Sequence, residues 1–156
     1  NFMNANMRKA NLYNATFYGS NLRGANLYRA NLQRAKLGKA VLADAQMIRV
    51  DIRNADLSGA YMPHAVISDA TANFSNLTGA NLYGSNLTHS LFMAAKFDDA
   101  QMADCDLTEG SNNWAAIMKA LDDTGYTGWA ISEQRGGLNP NGLKTLTERM
   151  DSIFAM

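Results

Sequence analysis

The chain has 156 residues, with 14 Lys and Arg against 14 Asp and Glu, 47% hydrophobic residues and one cysteine. That length and composition predict one folded domain with room for a core, or a domain plus an appendage, and exclude a disordered chain. Zero net charge argues against a general nucleic-acid binder and against a uniformly acidic mimic of nucleic acid, and no apolar run approaches the ~18 residues of a spanning helix.

From the first residues a unit of five repeats: small, polar, large apolar, then two turn-like residues. The large residue, the centre of each unit, recurs at every fifth position from Phe2 to Leu107 without a slip. Of these 22 centres, eleven are Leu, four Phe, four Met and two Ile, and only Ala72 is small. Two residues before each centre, the 21 positions from Ala5 to Cys105 hold 15 Ala, 4 Ser, one Val and one Cys. In an extended segment residues two apart share a face, so the small residue and the centre point one way and the polar residue between them points the other. The residue before each small one is often Gly, Asn or Asp (Gly19, Gly24, Gly59, Gly79, Gly84, Asn14, Asn54, Asp44, Asp69), the types that accept tight turns. Five residues are too few for a helix and carry no 3.6-residue stripe, so the short sides are expected to stack in layers, each bonded to the next.

The units Ala10-Asn11-Leu12, Ala25-Asn26-Leu27, Ala30-Asn31-Leu32, Ala55-Asp56-Leu57 and Ala80-Asn81-Leu82 resemble the A(D/N)LXX motif of pentapeptide-repeat proteins. The resemblance covers about residues 1–109 and implies an all-β solenoid: a right-handed quadrilateral β-helix of about five coils, twenty residues per coil. At ~4.8 Å between stacked strands such a rod is roughly 26 Å long. The expected interior includes Leu12, Phe17, Leu22, Leu27, Leu32, Leu37, Leu57, Leu82, Phe92 and Phe97. One interior column reads Leu12, Leu32, Ile52, Ala72, Phe92; the expectation is that Phe92 leans into the space over Ala72, the alternative being a local bend near residues 70–75.

Catalytic constellations are scarce, and neither an enzyme activity nor a cofactor is expected. His64 and His89 fall on turns of different sides, without ligand spacing. Cys105 takes a small inward position, which predicts a buried, inert thiol. Asp98, Asp99, Asp104 and Asp106 read as a solvated acidic edge. No metal site is expected. Charge is more informative. Residues 1–53 carry nine Lys and Arg against Asp44 and Asp51, whereas residues 54–107 carry Lys96 against six Asp. Lys9, Arg29 and Arg49 fall in one column, with Tyr13, Tyr18 and Tyr28 outward among the basic groups; these six are the candidate partner-binding residues.

After Leu107 the grammar changes. The pattern predicts a helix over 114–123 with Trp114, Ile117, Met118 and Leu121 on one face, a short strand over 126–132 and a second helix over 142–154. Residues 110–156 are thus expected to be a helical capping or dimerisation tail. The segment resembles the last helix–strand–helix of xylose-isomerase-like sugar-phosphate isomerase/epimerase barrels. That resemblance makes Glu133 the position of a metal-binding Glu, but a lone carboxylate is no metal site.

Three functions are weighed: a non-catalytic protein-interaction scaffold, the preferred reading; a DNA-mimicking modulator of type II topoisomerase (DNA gyrase), as the first resemblance implies; and a remnant or part of a sugar-phosphate isomerase/epimerase, as the second implies. Mimicry needs a strongly negative rod, which the basic half opposes. The expected partner is a protein, not a membrane or nucleic acid, and homodimerisation through the tail or by end-to-end stacking stays open. With no visible signal peptide, although the chain starts at Asn1, a cytoplasmic location is expected.

Overall fold

The computed structural model describes residues 1–106. Within them every fifth residue from Asn4 to Asp104 has a positive φ, between 54° and 66°. It is the third residue of a four-residue turn that starts at the centre. The turn closes when the N–H of the small residue donates to the centre's carbonyl, as Ala25 does to Leu22 at 2.9 Å. Negative then positive φ is the pattern of a type II turn. Asn and Asp tolerate the left-handed region through their own side chains, but Phe74 (φ 61°) and Ala94 (φ 54°) have no such compensation. Bonding between layers holds them there: the N–H of Phe74 donates to the carbonyl of Met93, nineteen residues on, at 2.8 Å.

Parallel bridges join each residue of the polar column to the one twenty along, from Asn6↔Asn26 to Asn86↔Asp106. Four five-residue units therefore make one coil, and the described residues form a four-sided β-solenoid. Each unit gives three bonds to the neighbouring layers. Around Leu27, for example, Asn26 N–H donates down to Ala5, Leu27 N–H up to Gln46, and Arg29 N–H up to Ile48, at 2.8 to 3.0 Å. With the turn bond, four of the five backbone N–H groups of a unit are used.

The fifth, on the first turn residue, explains the Asn and Asp of the motif. Wherever one of these occupies the polar position, from Asn1 to Asn86, its side-chain oxygen accepts the N–H two residues on. Examples are Arg23 to Asn21 at 3.0 Å, Gln33 to Asn31 at 3.1 Å and Ser58 to Asp56 at 3.1 Å. This is an Asx turn, and it satisfies a donor that the coil cannot. Tyr61 offers no such acceptor, and the residue two on is Pro63, which has no N–H to satisfy. Some amides also bond between layers, as Asn31 Nδ2 to Asn11 Oδ1 at 3.3 Å and Asn76 Nδ2 to Asp56 Oδ1 at 3.2 Å.

Inside, the small and centre columns form one continuous core from Phe17 to Cys105. Leu22, Leu27, Leu32, Leu37, Leu57, Leu82 and Phe97 are at most 1% exposed, each stabilising the fold by about 1.5–3 kcal/mol. Leu12 is only partly buried, because it belongs to the first coil and has a neighbour on one side. Phe92 points inward and meets Phe97 edge-on with centroids 5.3 Å apart. The ladder passes residues 70–75 without a break, through Thr71↔Leu91. One turn there is opened: Ala70 N–H donates to Ser90 Oγ at 2.9 Å, and the Ser90 hydroxyl donates to the Ile67 carbonyl, closing the turn through the coil above. Other polar groups at small positions are satisfied likewise, Ser85 Oγ donating to the Met62 carbonyl at 2.7 Å. The expected elements over 114–123, 126–132 and 142–154, and Glu133, lie outside the described residues.

Candidate functional site

Because the register is twenty, residues eight and nine of each coil share one corner of the rod. That corner carries Arg8, Tyr28, Ile48, Ser68 and Thr88 in one column and Lys9, Arg29, Arg49, Asp69 and His89 in the next. Arg8 lies over the Tyr28 ring at 4.5 Å from guanidinium carbon to centroid, and Arg29 over the same ring at 5.3 Å. Two like charges thus lie against one aromatic ring, held by its quadrupole. Arg49 meets Asp69 at 3.6 Å, an exposed pair that contributes little to stability. Arg8, Lys9 and Arg29 make no ion pair among the described residues; the other two pairs there are Arg23–Asp44 at 3.1 Å and Arg53–Asp51 at 2.7 Å, on different corners.

Of the six residues expected at a partner surface, four gather at this corner: Lys9, Tyr28, Arg29 and Arg49. Tyr13 and Tyr18 stand on the next two corners, exposed at 50% and 58%. Tyr18 packs on Gly38, where an added Cβ would meet its Cδ2 at 3.1 Å. Arg8 was missing from the expected set, though it stands twenty residues before Tyr28 and the register alone would have placed them together.

Elsewhere the polar groups serve the fold. Burial pushes the Asp51 carboxyl up, but hydrogen bonds from the Arg53 side chain and backbone, its charge, and Gln33 outweigh this and hold it below its ordinary value. A hydrogen bond to Asp104 raises the Tyr83 phenol. His64 lies edge-on to Tyr83 at 5.5 Å and over Gly84, where a Cβ would come within 2.6 Å of His64 Nδ1. His64 and His89 stand on different corners, and no group of three His, Cys, Asp or Glu among the described residues could hold a metal ion. Cys105 is fully buried, its thiol donating to the Leu82 carbonyl at 3.0 Å, and burial pushes its pKa up to about 12. No helix among the described residues is long and apolar enough to cross a membrane.

The family model for pentapeptide repeats matches the chain in eight copies, over residues 1–24, 25–62 and 64–109, more than half its length. Among solved structures, trypsin-treated QnrB1 (M102R), a plasmid-mediated fluoroquinolone resistance protein, aligns with TM-score 0.56 and 16% identity, covering 83% of this chain and 74% of its own. A pentapeptide repeat protein from the Arabidopsis thaliana thylakoid lumen aligns with TM-score 0.53 and 21% identity, covering 89% and 90%. At these identities the likeness is one of fold. No curated protein matches the chain.

Proposed function

Because the chain belongs to the pentapeptide-repeat family, whose members fold as right-handed quadrilateral β-helices, we propose that it is a non-catalytic interaction module that binds a protein partner at its basic corner. In this reading the rod has about five coils and residues 110–156 form a helical tail that caps it or dimerises. The observation that carries the reading is the pair of guanidinium groups, Arg8 and Arg29, stacked on Tyr28 without a carboxylate partner among the described residues. Cations kept beside a half-buried aromatic, and away from acidic groups, form a surface that a complementary acidic face recognises. Neighbouring coils repeat the charge one layer apart, so the corner presents a row of cations, not a single one.

The test is affinity capture with the full chain and with Arg29→Glu/Arg49→Glu, compared quantitatively. The expected outcome is a partner set that drops away on charge reversal; if every partner survives, the basic corner is not the docking site. DNA mimicry toward a type II topoisomerase is opposed by the nine Lys and Arg against two Asp of residues 1–53. A gyrase supercoiling assay decides it: protection or inhibition at micromolar protein would replace the present reading.

A further inference from the structure

The grammar of the solenoid is broken three times at one place. On the side whose outward column reads Asn11, Asn31, Asp51 and Thr71, the next member is Leu91. In the turn columns beside it, Tyr13, Gln33, Arg53 and Asn73 give way to Met93, while Asn14, Arg34 and Asn54 give way to Phe74. All three newcomers are exposed: Leu91 at 39%, Met93 at 62% and Phe74 at 56%. They are contiguous, since the Phe74 N–H donates to the Met93 carbonyl at 2.8 Å and Leu91 is two residues from Met93. Folding does not call for them. Leu91 gives up the oxygen that Asn would offer to Met93 N–H, and Asn73 Oδ1 in the coil beneath accepts that bond instead, at 2.9 Å. Phe74 holds a left-handed conformation that costs a bulky residue more than the Asn of Asn14 and Asn54 in the same column.

We propose that this lateral apolar patch is the docking site of the chain's own tail, through Trp114, Ile117, Met118 and Leu121. The place where the chain leaves the ladder argues for that occupant. Asp106, the last residue described, bridges Asn86 on the side immediately before the patch, so the described ladder ends one corner away from it. Residues 107–156 are then available, and Trp114 is only eight residues past Asp106, a reach of up to about 28 Å when extended. The spacing of the four apolar residues puts them on one face of a helix, a shape that an apolar strip one to two coils tall can receive. The tail would lie along the side of the last coils and leave the basic corner open. This inference stands independently of the partner proposed for that corner.

Both tryptophans of the chain, Trp114 and Trp129, lie in the tail, which supplies the readout. In full-length protein carrying Trp129→Phe, emission reports Trp114 alone. Adding Leu91→Asn/Met93→Lys is expected to move its emission to the red, toward a solvated indole, and to raise tryptic cleavage after Lys119 at least about tenfold, with the far-UV spectrum of the solenoid retained. Leu91→Asn alone restores the motif and keeps the solenoid intact, so the readout survives if the double variant folds poorly; a smaller shift in the same direction is expected. Tyr61→Lys, at an exposed aromatic on another side, is expected to leave both readouts unchanged. Unchanged emission and cleavage in the folded patch variants would overturn the proposal, as would an equal response to Tyr61→Lys. Light scattering that shows a wild-type dimer becoming a monomer on Leu91→Asn/Met93→Lys, with Trp114 emission constant, would give the patch to a second copy and overturn it too.

Discussion

Lys36 sits where the motif calls for Asn or Asp, and two residues on, the N–H of buried Gly38 has no acceptor among the described residues. Lys36→Asn is therefore expected to stabilise the protein. An Asx bond like that of Asn31 to Gln33, at 3.1 Å, would be made where none exists. A net hydrogen bond contributes about 0.5–1.5 kcal/mol, and more where it satisfies a buried donor. Against this stands only a weak attraction to Asp56 one coil on, since Lys36 makes no ion pair with it among the described residues and even a formed exposed pair contributes roughly 0.2–1 kcal/mol. The net gain is about 0.5–1 kcal/mol, or roughly 2–8 °C in Tm for a domain of this size. Urea unfolding followed by circular dichroism, with Cm compared at constant m, measures it. Two controls separate the Asx bond from a general effect of Asn. Asn21→Ala should cost about 0.5–1 kcal/mol by leaving the Arg23 N–H, which donates to Asn21 at 3.0 Å, without its acceptor. Asn21→Asp should lie within a few tenths of wild type, because Asp51 and Asp56 accept the same bond from Arg53 at 3.2 Å and Ser58 at 3.1 Å, and the neighbour of Asn21 in the next coil is uncharged Val41. If Lys36→Asn is neutral, or if the Ala and Asp variants of Asn21 are equally damaged, the motif's Asn is not there to satisfy that N–H and the reasoning fails.

Ala94→Gly should stabilise by about 0.5–1 kcal/mol, the left-handed strain relieved at φ 54° exceeding the entropy that glycine adds to the unfolded chain; a measured loss of stability would refute the strain. Leu57→Ala, at a fully buried centre, should cost about 2–5 kcal/mol in urea unfolding, and Leu12→Ala, in the first coil, clearly less; equal costs would deny that the layers share one core. Cys105 should resist a thiol reagent at pH 8 until the chain unfolds; fast labelling of the native protein would contradict its burial. Its folded pKa of about 12 lies above the ordinary 9.0, so its contribution to stability is complete below pH 9 and is lost as pH rises toward 12, a fall that Cys105→Ser should flatten.

Much of this fold was legible because the five-residue unit never slips. Alternation alone assigns the inward pairs, and the resemblance to pentapeptide repeats gave the coil of twenty that the bridges show. The purpose of the Asn and Asp was not legible from alternation. As merely outward residues they look like solubilising decoration, and only a count of backbone donors reveals that each unit has one N–H that neither the turn nor the next layer can use. Ser90 was opaque for a similar reason, since its position says "small" while its hydroxyl repairs the turn at Ile67–Ala70. The corner illustrates the opposite failure. Tyr13, Tyr18 and Tyr28 look alike along the chain, yet residues five apart stand on successive corners and residues twenty apart stand together. Sorted by that rule, Arg8 joins Tyr28, while Tyr13 and Tyr18 leave it.

The same sorting gives the breaks in the motif their meaning. A solenoid tolerates a substitution on its outer columns at little cost, so one departure by itself carries little information. Departures that coincide in space, each giving up a bond or adopting a strained turn, are different. Leu91, Met93 and Phe74 lie within two coils of one corner, and the cations that stack on Tyr28 lie within two coils of another. In a fold whose backbone is satisfied almost everywhere by the repeat itself, function has little room except in such concentrated departures. The two corners differ in chemistry, one apolar and one cationic, and so one rod can hold its tail on one edge while offering the other to a partner.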